Sequence, residues 1–116
     1  MDILFLEIDT EKEWSVCSLG PGFLAPVARA RGHTVSMVRI PQEQPIDDIV
    51  ADVLDRAPDL LGLSMTTRQW LRGRDIAGAI RAAGGPPLIA GGLHATFSPE
   101  DVLAHPGFDA VCLGEG

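Results

Sequence analysis

Short apolar runs alternate with amphipathic stretches along the whole chain. Residues 3–6 are apolar and β-prone, and residues 33–40 alternate Val35, Met37 or Val38, and Ile40, a second strand. Residues 60–64 and 88–90 are compact apolar runs, and residues 110–113 make a fifth. Between them lie helical patterns. Residues 19–31 fit a helix with Pro21 and Gly22 in its first turn, where proline's missing N–H has no partner to lose, and Gly32 after its end. Ile46, Ile49, Val50, Val53 and Leu54 mark one face of a helix over 46–57, with Asp47 and Asp48 in its dipole-favoured first turn and Pro58 as its stop. Leu71, Ile76, Ala79 and Ile80 give the inward face of a helix over 70–83, closed by Gly84-Gly85. Ser98, Pro99, Glu100 and Asp101 read as cap, first helical residue and acidic first turn of a short helix reaching about Ala104.

The order is βαβαβαβαβ, which predicts a doubly wound α/β fold of Rossmann or flavodoxin-like type: five parallel strands with helices on both faces. No helix follows the last strand, so the expectation is a fragment cut from a longer protein before its final helix. In such sheets ligands bind beyond the carboxyl ends of the strands, where strand order switches. Four loops fall on that rim: residues 8–18 with Trp14 and Cys17, "SMTTRQW" at 64–70, "GGLHAT" at 91–96, and "GEG" at 114–116.

Composition narrows the options. With 46% hydrophobic residues in 116, the chain has enough apolar mass for one core, and no run is long enough to cross a membrane. The net charge of −7 argues against a nucleic-acid partner, which needs clustered Lys and Arg. Arg29, Arg31, Arg68, Arg72, Arg74 and Arg81 lie mainly in helical segments and read as solvated helix faces. Cys17 and Cys112 lack the spacing of a metal or redox pair, Cys112 reads as a buried strand residue, and a cytoplasmic location is the default for free thiols.

Several site chemistries fail on the residues. A dinucleotide fingerprint needs three spaced glycines straight after the first strand, whereas Gly20 and Gly22 come late and the third is missing. No phosphate loop ending in Gly-Lys-Ser/Thr occurs. A phosphorelay receiver needs an acceptor aspartate after strand three, where this chain has Ser64-Met65.

The loops together resemble the cobalamin-binding domain, as found at the N-terminus of cobalamin-dependent radical S-adenosylmethionine enzymes. The resemblance rests on "LGPGFLAPVARARGHTV" (19–35), "PDLLGLSMTTRQW" (58–70), "GGLHAT" (91–96) and "FDAVCLGEG" (108–116), and runs over essentially the whole chain. The family pattern is Asp-x-His-x-x-Gly, then Ser-x-Leu/Thr, then Gly-Gly, each at a strand end. With Gly22 as the motif glycine, the intervals from Gly22 to Ser64 and from Thr66 to Gly91 fit, but the Asp position is Cys17 and the His position is Leu19. Leucine has no lone pair to give a metal, so the resemblance implies base-off cobalamin without a protein histidine on cobalt.

The resemblance further implies a cofactor site of Leu19, Gly20, Gly22, Ser64, Met65, Thr66, Thr67, Gly91, Gly92, Leu93, His94, Ala95, Gly114, Glu115 and Gly116, with no metal-ligating residue. In it Gly91-Gly92 would let the cofactor's nucleotide tail approach bare backbone, Ser64 and Thr66 would offer hydroxyls, and the amides of Met65, Thr67 and Leu93 would meet corrin amide groups. His94 would be a corrin or tail contact rather than the cobalt ligand. Trp70 fits the corrin rim and the helix core equally, and Trp14 and Cys17 read as loop residues beside the lower face. His33 and His105 read as structural or solvent-facing. The chain lacks the three clustered cysteines of a radical [4Fe–4S] centre, so it would be the cofactor domain of a larger enzyme, such as a methyltransferase or a relative of the anaerobic Mg-protoporphyrin monomethyl ester cyclase. The cluster, S-adenosylmethionine and catalysis would then belong to a downstream domain. A cofactor-free flavodoxin-like regulatory or scaffold domain, or a nucleotide- or flavin-binding module, is the alternative.

Overall fold

The computed structural model describes residues 1–10 and 19–114. The strands are β1 (Asp2–Ile8), β2 (Thr34–Ile40), β3 (Leu60–Ser64), β4 (Leu88–Gly91) and β5 (Ala110–Val111). They form one sheet in the order β2-β1-β3-β4-β5, and every pair is parallel. The helices are α1 (Leu19–Ala30), α2 (Ile46–Arg56), α3 (Trp70–Ala82), α4 (Gly92–Phe97) and α5 (Pro99–Ala104). A single 3₁₀ turn, Thr67–Gln69, precedes α3. The five-stranded doubly wound expectation is met, with the order switching between β1 and β3.

Register divides the sheet into two unlike faces. Side chains alternate along each strand, and paired residues of neighbouring strands point the same way. Leu4, Leu6, Ile8, Leu61, Leu63, Leu88 and Ala90 form one face and are buried against Ile49 and Val53 of α2, Ile76, Ala77 and Ile80 of α3, Ala95 of α4 and Val102 of α5. This is the hydrophobic core. On the opposite face the register brings together Ile3, Phe5, Gly62, Ile89, Gly91 and Cys112, and among the described helices only α1 stands over it.

The structure departs from the sequence expectation in several places. Leu71, expected on the inward face of α3, is exposed, and Gly73 and Ala77 are buried with Ile76 and Ile80 instead. β1 extends to Ile8, because its upper end pairs with β2 through Glu7 and Arg39 and through Ile8 and Ile40, beyond the point where its pairing with β3 stops at Leu6. β5 is only two residues, although the Cys112 N–H still donates to the Ala90 carbonyl at 2.8 Å. An additional helix, α4, begins at Gly92, directly after β4. Gly92 sits at φ +89°, which turns an extended chain straight into a helix. Finally, several arginines are fasteners rather than solvated charges: Arg29 donates to the Val35 carbonyl, Arg72 to those of Pro41 and Gln44, and Arg81 to the Pro106 carbonyl and Asp109. A guanidinium's several donors let it satisfy loop carbonyls that no regular element serves.

Candidate functional site

The helix-poor face holds a groove of about 640 Å³. Its floor is Phe5, Gly62 and Ile89, one wall is α1 through Pro21, Leu24 and Ala28, and its upper end is Ser64, Gly91, Gly92, Thr96, Cys112 and Gly114. The groove runs along the sheet from the carboxyl ends of the strands to Arg31 and His33 at the opposite edge. That volume lies in the range of cofactor-sized sites, and the lining is mainly apolar with a few polar groups at one end.

Two glycine-rich segments converge on one hydroxyl. A Cβ on Gly92 would come within 2.9 Å of the Ser64 Oγ, and one on Gly20 within 4.0 Å of the same atom. Ser64 therefore stands between the start of α1 and the start of α4, at the mouth of the groove. The same hypothetical Cβ on Gly92 would lie 2.7 Å from the Met65 carbonyl oxygen, so only glycine fits there. The Met65 N–H donates to the Gly91 carbonyl at 3.0 Å, and the His94 N–H donates to the Met65 carbonyl at 3.0 Å. These bonds hold the end of β3, the end of β4 and the first turn of α4 as one rigid lip.

On the β1 side of the rim, the Gln69 side chain makes the equivalent connection. Its Oε1 accepts from the Thr66 N–H, and its Nε2 donates to the Ile8 carbonyl, both at 2.7 Å. Glu7, buried at the end of β1, meets Arg39 at 3.2 Å, and Arg39 also reaches Asp9 at 3.5 Å. The switch point is thus braced by Gln69, which ties the loop after β3 to the end of β1, and by the Glu7–Arg39 pair between β1 and β2.

The structure gathers Gly20, Ser64, Gly91, Gly92, Leu93 and Gly114 around the groove. Thr66 and Thr67 are exposed at the rim, and Leu19 and Gly22 are exposed on the first turns of α1. Met65, His94 and Ala95 are placed behind the lip, with side chains buried in the core. The Met65 amide is already taken by Gly91, so it is not a free donor for a ligand. His94 is turned away from the groove. Its ring stacks on Trp70 with centroids 4.6 Å apart at 23°, its Nδ1 is 3.4 Å from the Thr67 Oγ1, and its buried Nε2 has no partner. Trp70 also stacks on Phe108, which settles its role on the core side. His33 lines the far end of the groove beside the Met1 amine, and His105 packs edge-on to Trp70 and Phe108. Trp14, Cys17, Glu115 and Gly116 lie outside the described residues.

Most of the groove's floor and wall lay outside the site expected from the sequence, including Phe5, Gly62, Ile89 and Cys112 and, at the upper end, Thr96. Alternation from Ser64, which the motif had singled out, would have found Gly62 on the same face. Cys112 is half-buried and faces the groove rather than the core. Among the described residues, no three His, Cys, Asp or Glu side chains are clustered to hold a metal ion. No described helix is long and apolar enough to cross a membrane.

This geometry, a bare-backbone groove at the switch point, has a family. The profile of the B12 binding domain matches residues 16–116. The chain belongs to that family. Among solved structures, a cobalamin-binding protein from Desulfitobacterium hafniense DCB-2 superposes with a TM-score of 0.73 at 23% identity, covering 96% of this chain and 52% of the other. The cobalamin-dependent S-adenosylmethionine radical enzyme OxsB, with aqua-cobalamin and S-adenosylmethionine bound, superposes with a TM-score of 0.82 at 21% identity, covering 99% of this chain. The same enzyme without cofactor gives 0.75 at 22%. The chain spans 17% of the length of OxsB. No curated protein sequence matches this chain. At these identities the B12 binding domain shares its fold with both neighbours.

Proposed function

We propose that this B12 binding domain holds cobalamin, with the nucleotide tail in the groove between α1 and the sheet. The observation that carries the reading is the fit of the groove. Its upper end is bare backbone at Gly91 and Gly92, and the Ser64 hydroxyl is offered between two glycine-containing segments. Its floor is apolar, as an aromatic base requires. Gly20, Ser64, Gly91, Gly92, Leu93 and Gly114 would line the tail. Thr66 and Thr67, with Leu19 and Gly22, all exposed, would meet the corrin end of the cofactor. When bound, cobalamin supplies a cobalt centre able to carry a methyl group or electrons.

The base-off state without a histidine on cobalt belongs to the same reading. Leu19 occupies the motif's histidine position, and His94 is stacked against Trp70 behind the lip. The domain would then serve a larger cobalamin-dependent radical S-adenosylmethionine enzyme, whose [4Fe–4S] cluster and S-adenosylmethionine lie in other parts of the parent chain. The likeness to OxsB supports that assignment. So does the exposure of Leu93 and Phe97, 60% and 79%, which leaves an apolar lip for a bound corrin or a neighbouring domain to cover.

The test is reconstitution. The protein is mixed with hydroxocobalamin, desalted, and its visible spectrum recorded. Retained corrin absorbance near one equivalent is the expected result, and its loss on desalting overturns cobalamin binding. A retained spectrum of the benzimidazole-coordinated form overturns the base-off assignment alone. Retention of FAD or NAD in place of cobalamin would favour a flavin or nucleotide module.

A further inference from the structure

The Thr96 hydroxyl joins two glycines that line the groove from different loops. Its O–H donates to the Gly92 carbonyl at 2.9 Å, and its Oγ1 accepts from the Gly114 N–H at 3.0 Å. Both glycines have positive φ, +89° at Gly92 and +72° at Gly114, and both border the groove beside Thr96 itself. The bond to Gly92 is the ordinary back-bond of a helical threonine to the residue four before it. The bond to Gly114 is not. It crosses to the segment after β5, which is too short to be fixed by its own ladder.

Glycine explores more backbone conformations than any other residue, so a wall built from glycines is ordered only where something pins it. Gly92 is pinned by its packing on Met65 and Ser64. Gly114 is exposed, and a Cβ added there would meet nothing within 4 Å. Packing therefore does not fix it, and the hydroxyl does. A surface ordered before the ligand arrives loses less entropy on binding.

We infer that Thr96 is a positioning residue of the cofactor site, whose hydroxyl locks the Gly114 segment to the Gly91-Gly92 lip so that both form one preorganised wall and a ligand held at the lip is sensed in the chain leaving β5. The inference rests on the cobalamin reading above. Valine keeps the shape of threonine and removes both hydrogen bonds, whereas serine keeps them.

Aquacobalamin is titrated into wild type, Thr96→Val and Thr96→Ser, and amide exchange is followed at Gly92, Leu93 and Gly114 with and without the cofactor. Thr96→Val weakens binding by about tenfold, and Thr96→Ser recovers to within about threefold of wild type. In wild type the cofactor slows exchange at Leu93 and Gly114 together, and in Thr96→Val the slowing at Gly114 disappears. Binding by Thr96→Val within about twofold of wild type overturns the inference. So does unchanged Gly114 exchange on loading the wild type, a readout that needs no variant to fold. If wild type itself retains no aquacobalamin, the cobalamin reading fails and this inference with it; retention by wild type with an indifferent Thr96→Val sinks the inference alone.

Discussion

The Phe5 ring lies across the bare backbone of Gly62: a Cβ on Gly62 would come within 2.5 Å of both Cδ1 and Cε1 of Phe5. The two residues are register partners on adjacent strands, β1 and β3, on either side of the switch point. Glycine there lets an aromatic ring lie flat and form a smooth apolar floor. The same ring on any other partner would have to stand up into the groove.

Gly62→Ala tests that floor. The added methyl pushes Phe5 toward the groove and costs about 1–3 kcal/mol of stability, the usual range for overpacking. Cobalamin retention falls as the groove narrows. Phe5→Leu in the same chain removes the ring and makes the pair less damaging than the sum of the two single changes, because the sites share one contact. Urea denaturation of the four proteins and cofactor retention after desalting check both statements. Additive stability changes would show that the ring does not rest on Gly62.

Gly92→Ala is the more severe change. The positive φ costs about 1–3 kcal/mol for a residue with a Cβ. The Cβ also meets the backbone of Met65 at 2.7 and 2.8 Å. That backbone cannot give way freely, since it holds both Gly91 and His94 by hydrogen bonds. The expected loss is about 2–4 kcal/mol, and loss of cofactor retention even where the variant stays folded. A denaturation midpoint within error of wild type would contradict the close approach at the lip.

These glycines show what was legible in the sequence and what was not. The order of strands and helices was readable because alternation and the helical stripe in 46–57 leave a plain periodic mark. The rim position of Ser64 and Gly91-Gly92 followed from that order. The helix at Gly92 did not, since a Gly-Gly pair after a strand reads as a turn, and only the positive φ of Gly92 with the Met65 bond makes it a helix start. That helix decides where each side chain of "GGLHAT" points. Leu93, Thr96 and Phe97 fall toward the groove, and His94 and Ala95 fall into the core. A histidine that sequence order puts beside the site is therefore carried behind it by one turn of helix. The link made by Thr96 was hidden for a related reason: its partner Gly114 is brought near by the sheet, not by the sequence.

Ala57 offers a prediction about stability alone. It caps α2 in the left-handed region at φ 47° and ψ 53°, the described non-glycine residue with positive φ, and its N–H closes the helix on the Val53 carbonyl at 3.1 Å. Pro58 follows, and proline disfavours a helical conformation in the residue before it. Left-handed geometry costs an alanine about 1–2 kcal/mol, and glycine avoids that cost while losing some backbone entropy. Ala57→Gly should therefore stabilise the fold by up to about 1 kcal/mol without changing cofactor retention. A lower denaturation midpoint would show that the entropy term is the larger.

His94→Phe separates a packing histidine from a metal-binding one. The imidazole stacks on Trp70, its contact with Thr67 is a long 3.4 Å, and its buried Nε2 meets no partner. A buried polar atom without a partner is costly, and an apolar ring of similar shape leaves nothing unsatisfied. Phenylalanine keeps the stack, so stability should stay within about 1 kcal/mol of wild type and shift, if at all, upward. His94→Ala, by contrast, opens a cavity beside Trp70 and should cost about 2–4 kcal/mol. The decisive readout is the visible spectrum of the reconstituted protein. With His94 behind the lip, His94→Phe carries cobalamin with an unaltered spectrum. A changed cobalt spectrum in that variant, with the wild-type fold intact by circular dichroism, would place His94 on the metal.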